Sequence, residues 1–357
     1  MEFGIMSNGF RPHTSAGQTY DEDIAEIVLA DQLGFRDAYI SEHHAEPPHL
    51  DRVDTIPVPE LMMCKAAALT SRIRMGAAVK LAHLQHPVDV AVSAAVTDHM
   101  LGGRFIFGFG TGFGNPSFCE ERGLSFDDRH ERLRESIAFI EKCWSSRTPF
   151  DWEGKHWQGR GVLTLPKPVN DQMPMAVATD TDAMIEHAAR NGWTLLIAFV
   201  ENAERIRHKV ELYVAAGRAA GQPDPMRRIA VARAVYIADS KQQAMDDMRE
   251  AVAIEVGVQA QRGFLNMMRQ RYGIEIRADH TAIEQLVEAG LYIVGTPDEV
   301  AARLIDFHAV SGGWGTFMIV CGKAWADRAR RARSMRLFME QVAPRLRALE
   351  QPAVAAQ

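Results

Sequence analysis

The stretch Phe35-Arg36-Asp37-Ala38-Tyr39-Ile40-Ser41-Glu42-His43-His44 decides how this chain is read. Its first six residues form a short apolar run that reads as a buried strand, and Ser41-Glu42-His43-His44 falls at that strand's C-terminal end. An α/β barrel keeps its chemistry at that end of its strands. An acid and two imidazoles there can handle protons near neutral pH. The alternative is two polar loop histidines beside a surface glutamate. Side chains of neighbours on an extended segment point to opposite faces, which disfavours His43 and His44 sharing one metal ion. No other histidine spacing makes a standard metal set, so no metal is expected.

Outward from this point, strand-like runs alternate with helix-like runs over most of the length. Strands are expected at residues 2–6, 38–41, 73–81, 104–108, 175–178, 195–198, 229–237 and 317–320. Between them, residues 20–33, 59–71, 88–101, 127–145, 182–191, 203–220 and 241–256 carry helical patterns. In residues 127–145, for example, Leu133, Ile137, Ile140 and Trp144 keep a helical register. Thr296-Pro297-Asp298-Glu299 opens another helix, with Thr as cap, Pro at the first position and Glu at the third. About eight βα units with no linker predict one (β/α)8 TIM barrel spanning 1–357, with an open doubly wound sheet as the alternative. Two insertions interrupt it. Bulky and polar residues alternate around Gly154, which predicts a β-hairpin at about 150–165. Residues 257–290 mix Arg, Gln and Met without a clear period, and are expected to form a long, mobile insertion.

Composition narrows the function. The chain has 357 residues, 47% of them hydrophobic and 24% charged, which is ordinary for a globular protein with an ample core. A formal net charge of −6 argues against a general nucleic-acid surface. The arginines at 328, 330, 331, 333 and 336 lie on a helical segment and read as a solvated face. Four cysteines without a CxxC pair predict neither disulfides nor a zinc knuckle. No apolar run of about 18 residues is long enough to span a membrane, and the N-terminus reads as a strand rather than a signal peptide. The expected location is cytoplasmic.

Two further segments carry candidate binding residues. Gly108-Phe109-Gly110-Thr111-Gly112-Phe113-Gly114 follows the fourth strand, but no GxGxxG frame fits it. It can cradle a phosphate or a ring edge, or it is a structural turn. Thr179-Asp180-Thr181-Asp182 follows the fifth strand and starts a helix, whose free N–H groups suit an anion. Asp180 and Asp182 would oppose a phosphate unless they point away. A simple N-cap is the alternative. Small residues in Ala77-Ala78-Val79-Lys80-Leu81 leave room for a flat ligand, or are plain core.

As an ordered set these residues resemble the bacterial luciferase-like flavin monooxygenase family. The matching pieces are Glu2-Phe3-Gly4, Leu33-Gly34-Phe35, Glu42-His43-His44, His86-Pro87-Val88, Gly103-Arg104-Phe105 and Val294-Gly295-Thr296-Pro297, in family order across about residues 1–350. Glu153-Gly154-Lys155-His156-Trp157 and Gly312-Gly313-Trp314-Gly315-Thr316 are similar to the branch of limonene monooxygenase-like and diketocamphane-type Baeyer–Villiger enzymes. The resemblance implies FMN, delivered reduced by a separate NAD(P)H:flavin reductase, and oxygenation of an organic substrate through a C4a-peroxyflavin. It implies that His43 is the catalytic histidine, oriented by Glu42 with His44 beside it. It implies that Gly110 and Thr111 line the isoalloxazine ring, and that Thr181, with Thr179, Asp182 and the N–H groups of Ala183 and Met184, meets the phosphate. Family relatives carry a non-prolyl cis peptide beneath the ring. Counting back from His86-Pro87-Val88 puts it at Ala78–Val79, or one residue earlier. This chain departs from luciferases proper, which have Cys-Arg where it has Gly110-Thr111. Arg129 is a candidate for the missing counter-charge.

The expected function is therefore a two-component FMN-dependent monooxygenase that hydroxylates a small, largely apolar molecule or inserts oxygen in a Baeyer–Villiger reaction. Phe113, Phe118, Trp152, Trp157, Phe264 and Met267 are expected to line the pocket. A homodimer is expected. The alternatives are an F420-dependent hydride-transferring oxidoreductase on the same fold and a flavin-binding protein without turnover.

Overall fold

A computed structural model describes residues 1–350 apart from 13, 45–55, 113–115, 171 and 262. Eight parallel strands close into a ring. They are β1 (Glu2–Phe10), β2 (Asp37–Ile40), β3 (Arg74–Ala77), β4 (Phe105–Phe109), then β7 (Met175–Val177), β8 (Thr194–Ile197), β9 (Ile229–Ile237) and β11 (Thr316–Lys323). The numbering leaves β5 (Phe150–Glu153) and β6 (Gln158–Val162) for an antiparallel hairpin and β10 (Tyr292–Gly295) for a short strand outside the ring. Pairing of β11 with β1, Glu2 opposite Thr316, closes the barrel. The expected TIM barrel is the fold found.

Strand alternation sorts the side chains into two apolar layers. Phe105, Phe107 and Phe109 of β4 join the layer beneath the helices, as do Leu195 and Ile197 of β8. Tyr39, Ile106, Ala176, Leu196, Ala230 and Met318 join the other, which fills the barrel and continues above its strand ends. Gly108 stands on the inner side of β4, where a Cβ would lie 1.8 Å from the carbonyl oxygen of Ala77.

The helices relevant to the site are α1 (Ala16–Leu33), α2 (Pro59–Ala67), α3 (Pro87–Met100), α4 (Pro116–Glu120), α5 (Arg129–Ser145), α6 (Asp182–Arg190) and α7 (Ala203–Ala219). After β9 come α8 (Lys241–Gln261), α9 (Phe264–Tyr272) and α10 (Ala282–Glu288), followed by α11 (Pro297–Val310) and α12 (Arg328–Leu337). α11 carries the expected cap. Thr296 accepts from the Glu299 N–H, and the Glu299 carboxylate accepts from the Thr296 N–H.

Four expectations need correction. Residues 257–290 are mostly helical rather than irregular: α8 runs on to Gln261, and α9 and α10 follow. Arg, Gln and Met are good helix formers, and Met268, Ile283 and Leu286 turn inward onto the inner apolar layer. β10 went unread because it is four residues long and pairs with the C-terminal half of β9 alone. The third strand stops at Ala77 rather than continuing to Leu81. Trp152 and Trp157 do not face the barrel mouth, because the hairpin lies on α5. There Trp152 stacks on Phe139 at 4.7 Å and the Trp157 Nε1–H donates to Ser136 Oγ at 2.9 Å.

The arginines of α12 are largely paired within the fold. Arg331 binds Glu22 and Glu26 of α1, Arg330 binds Asp247 of α8, and Arg333 binds Asp239. Among the described residues, no helix is long and apolar enough to cross a membrane.

Candidate active site

β2 ends at Ile40, and Ser41-Glu42-His43-His44 continues from it at the C-terminal mouth of the barrel. Glu42 is the hub. Its side chain is 1% exposed, and Oε1 lies 2.9 Å from His44 Nε2. Oε2 accepts from the Leu81 N–H at 3.3 Å and lies 3.3 Å from Lys80 Nζ. Lys80 Nζ also lies 3.3 Å from Glu60 Oε1 at the start of α2. The glutamate thus meets His44, two residues on along the extended segment. His43 is half-buried, and its N–H donates to the Ile56 carbonyl at 3.1 Å. The His44 ring stands edge-on to Phe118 of α4, with centroids 5.4 Å apart.

Lys80 and Glu60 are site residues that sequence reading missed. The signal for Lys80 was present: a lone cation within the apolar run Ala77–Ala82 must find a buried partner. Burial alone would lower the Lys80 pKa, but Glu42 and Glu60 more than offset this and hold it above the ordinary lysine value.

The peptide bond Ala78–Val79 is cis, at the first of the two positions expected. Ala78 is half-buried and Val79 buried. Beyond them Lys80 rejoins β4: its N–H donates to the Gly108 carbonyl at 2.8 Å, and its carbonyl accepts from the Gly110 N–H at 3.2 Å. A Cβ on Gly110 would come within 2.9 Å of both the Ala178 carbonyl oxygen and Val79 Cγ2. The glycine is therefore required by the closeness of β3, β4 and β7 at this level. Thr111 is half-buried beside it, while Phe113 and Gly114 lie outside the described residues.

At the end of β7, Thr179 and Thr181 lie with their hydroxyl oxygens 3.2 Å apart, and the Thr181 N–H donates to Thr179 Oγ1. Thr181 is the N-cap of α6, but its side chain makes no capping bond. Beyond its contact with Thr179, its hydroxyl keeps hydrogen-bonding capacity for another partner. The flanking acids turn away towards α7: Asp180 binds Lys209 at 2.7 Å and Arg205 at 3.0 Å, and Asp182 binds His208 at 3.1 Å. Asp182 and Ala183 stand at the helix start, where N–H groups have no intrahelical acceptor. The Met184 N–H differs from expectation, because it already donates to the Thr181 carbonyl at 3.0 Å. Two hydroxyls and the first helical N–H groups, with Asp180 held by two cations and Asp182 turned to His208, are a donor set that fits a phosphate monoester. Arg129 is engaged elsewhere, donating to the Phe126 carbonyl and lying 3.9 Å above the Phe126 ring.

Above the strand ends, Phe118, Phe199, Phe264 and Met267 pack on the inner apolar layer. Of these, Phe118 stands directly against the His44 ring. His83, just past Leu81, is 3% exposed and its Nδ1 has no partner. Burial, reinforced by Arg132, pushes its pKa down to about 3.

Comparison with known proteins agrees with this geometry. The 3,6-diketocamphane 1,6-monooxygenase of Pseudomonas putida is 26% identical over 385 residues, covering 97% of this chain and 98% of the relative. Limonene 1,2-monooxygenase of Rhodococcus erythropolis is 24% identical over 351 residues, covering 96% and 86%. The oxygenating constituent of 3,6-diketocamphane monooxygenase from Pseudomonas putida, a type II Baeyer–Villiger monooxygenase solved with FMN, superposes with a TM-score of 0.81 at 27% identity, over 96% of this chain and 98% of the other. The model of the family described as luciferase-like monooxygenase matches residues 1–312. With the barrel, the strand-end histidines and this match over most of its length, the chain belongs to the luciferase-like monooxygenase family.

Proposed function

We propose that this protein is the oxygenase of a two-component FMN-dependent monooxygenase acting on a small, largely apolar organic molecule. The observation that carries the reading is the pair of buried Glu42 and half-buried His44 beside His43 at the barrel mouth. Its setting supports FMN, since a relative with the same fold was solved with that cofactor. Reduced FMN supplies the two electrons with which one atom of O2 enters the substrate and the other leaves as water. Thr179, Thr181 and the N–H groups of Asp182 and Ala183 hold the phosphate. Ala78, Val79, Gly110 and Thr111 form the wall against the ring. His43, and His44 steered by Glu42, hold and move the proton that this chemistry requires. Phe118, Phe199, Phe264 and Met267 exclude water and receive an apolar substrate. A separate NAD(P)H:flavin reductase is the implied partner, in keeping with a relative that is itself an oxygenating constituent.

The protein is also proposed to be a homodimer. Among the described residues ten large hydrophobics are exposed; apart from Val310 and Leu349 they are Val58, Leu61, Leu69, Val96, Met100, Leu163, Leu165 and Val169. These eight lie on or beside the neighbouring helices α2 and α3, or on the segment that the Asp98 carboxylate and His99 tie to α3. An apolar strip of this kind suits self-association.

The test is isotopic. The protein is supplied with a flavin reductase, NADH, FMN and 18O2, together with a panel of cyclic ketones and terpenes. Product carrying one 18O atom is expected. Binding of F420 without FMN, or FMN binding with no labelled product from any apolar class, would overturn the reading.

A further inference from the structure

We infer that Lys80 is a positioning residue: it keeps Glu42 a hydrogen-bond acceptor and thereby fixes His44 as the tautomer with hydrogen on Nε2. The inference rests on the reading that the strand-end histidines form the reaction site. The geometry is a chain of four side chains from three elements, Glu60 to Lys80 to Glu42 to His44, with separations of 3.3, 3.3 and 2.9 Å. Lys80 is 5% exposed and Glu42 1%, so solvent does not screen their attraction. A carboxyl buried without a cation tends to take up a proton. In that form either oxygen can carry the hydrogen, so Oε1 can donate as well as accept and the imidazole nitrogen facing it is no longer held to one role. Ionised, it can only accept, so His44 Nε2 must carry the hydrogen and Nδ1 keeps the lone pair when the ring is neutral.

Lys80 is held for this task. Its backbone bonds to both Gly108 and Gly110 of the β4 end, which fixes the start of the side chain. Glu60 takes part of the ammonium's hydrogen-bonding capacity and ties α2 to the cluster.

The experiment reads the tautomer directly, in the full chain without flavin. Protein labelled with 15N-histidine is examined at pH about 8, above the ordinary imidazole range, with the His44 signals assigned by their loss in His44→Gln. The wild type is expected to show a protonated Nε2 and a lone pair on Nδ1. Lys80→Met is expected to lose that pattern, the two nitrogens averaging or exchanging character, and Lys80→Arg is expected to restore it. If Lys80→Met does not fold by circular dichroism, Lys80→Gln replaces it. A folded Met or Gln variant that keeps the wild-type His44 pattern would overturn the inference. Anaerobic fluorescence titration of the wild type with reduced FMN tests the functional reading separately: absence of binding would remove that reading while leaving the tautomer result to stand or fall by itself.

Discussion

His83 shows what burial does to one imidazole. The ring is enclosed, Nδ1 has no partner, and burial, reinforced by Arg132, brings its pKa to about 3. The folded protein therefore leaves it neutral where the unfolded chain, with a value near 6.5, binds a proton. Stability is lost as pH falls below about 6.5 and continues to fall towards 3. At pH 5 this one group is expected to cost about 1–2 kcal/mol. His83→Gln should narrow the difference in urea-unfolding free energy between pH 7 and pH 5 by that amount, and an unchanged difference would remove His83 as the cause. His43 is a residue of another kind, half-buried at the mouth. His43→Ala is expected to fold normally and to lower labelled-product formation about 10²–10⁴-fold, the usual contribution of a general acid or base. Full product formation at saturating reduced FMN would make His43 structural. The acid and both imidazoles were legible because they are adjacent in sequence. That the acid meets His44 follows from alternation, which puts residues two apart on one face of an extended segment; the expected pairing with His43 came from the family resemblance alone. Glu60 was illegible because it comes to Lys80 from a separate helix, and only the closed barrel brings the two together.

At the scale of elements, the mouth is built by strands that approach closely where side chains are absent. Gly108→Ala would place a Cβ 1.8 Å from the Ala77 carbonyl oxygen, and the obstructing atoms are backbone, which cannot swing aside. Overpacking of this kind costs about 1–3 kcal/mol or more. Because the strain falls between β3 and β4, FMN affinity should fall along with the thermal midpoint. A variant with wild-type affinity and midpoint would show that the strand ends can separate freely. The glycine-rich run was legible as a sequence, but its reason was not: spacing suggested a ligand cradle, whereas contact between strands already requires Gly108 and Gly110. The segment after β9 shows the opposite difficulty. Its apolar residues are too sparse to display a period, yet it folds as α8, α9 and α10. α8 is anchored by the buried Glu255–Lys323 ion pair, whereas α9 is bounded by Gly263 and Gly273, both at positive φ. Hydrogen exchange is expected to be slow in α8 and fast in α9 of the free protein, with α9 alone slowed by FMN. Equal protection of the two helices before FMN is added would argue against a mobile cover.

For the whole molecule, the apolar strip beside α2 and α3 has a different explanation from the mouth. The barrel's own core is complete without it, since α2 buries Met62, Met63, Ala66 and Ala67 inward and still leaves Leu61 70% exposed. Leu165, on the segment beyond the hairpin, is 69% exposed. Large apolar side chains clustered on neighbouring surface elements mark an interaction site more often than a monomer's free surface. Two copies related by a twofold axis would cover the same strip on each other, which is how most soluble homo-oligomers close. The double variant Leu61→Glu, Leu165→Glu places two carboxylates on each copy's strip, so four would have to be buried in one interface. Sedimentation equilibrium is expected to give twice the chain mass for the wild type and the chain mass for the variant. Circular dichroism and FMN affinity should be unchanged, because neither residue belongs to the mouth. A wild type that sediments as a monomer, or a variant that remains dimeric, would mean that this strip is not the subunit interface.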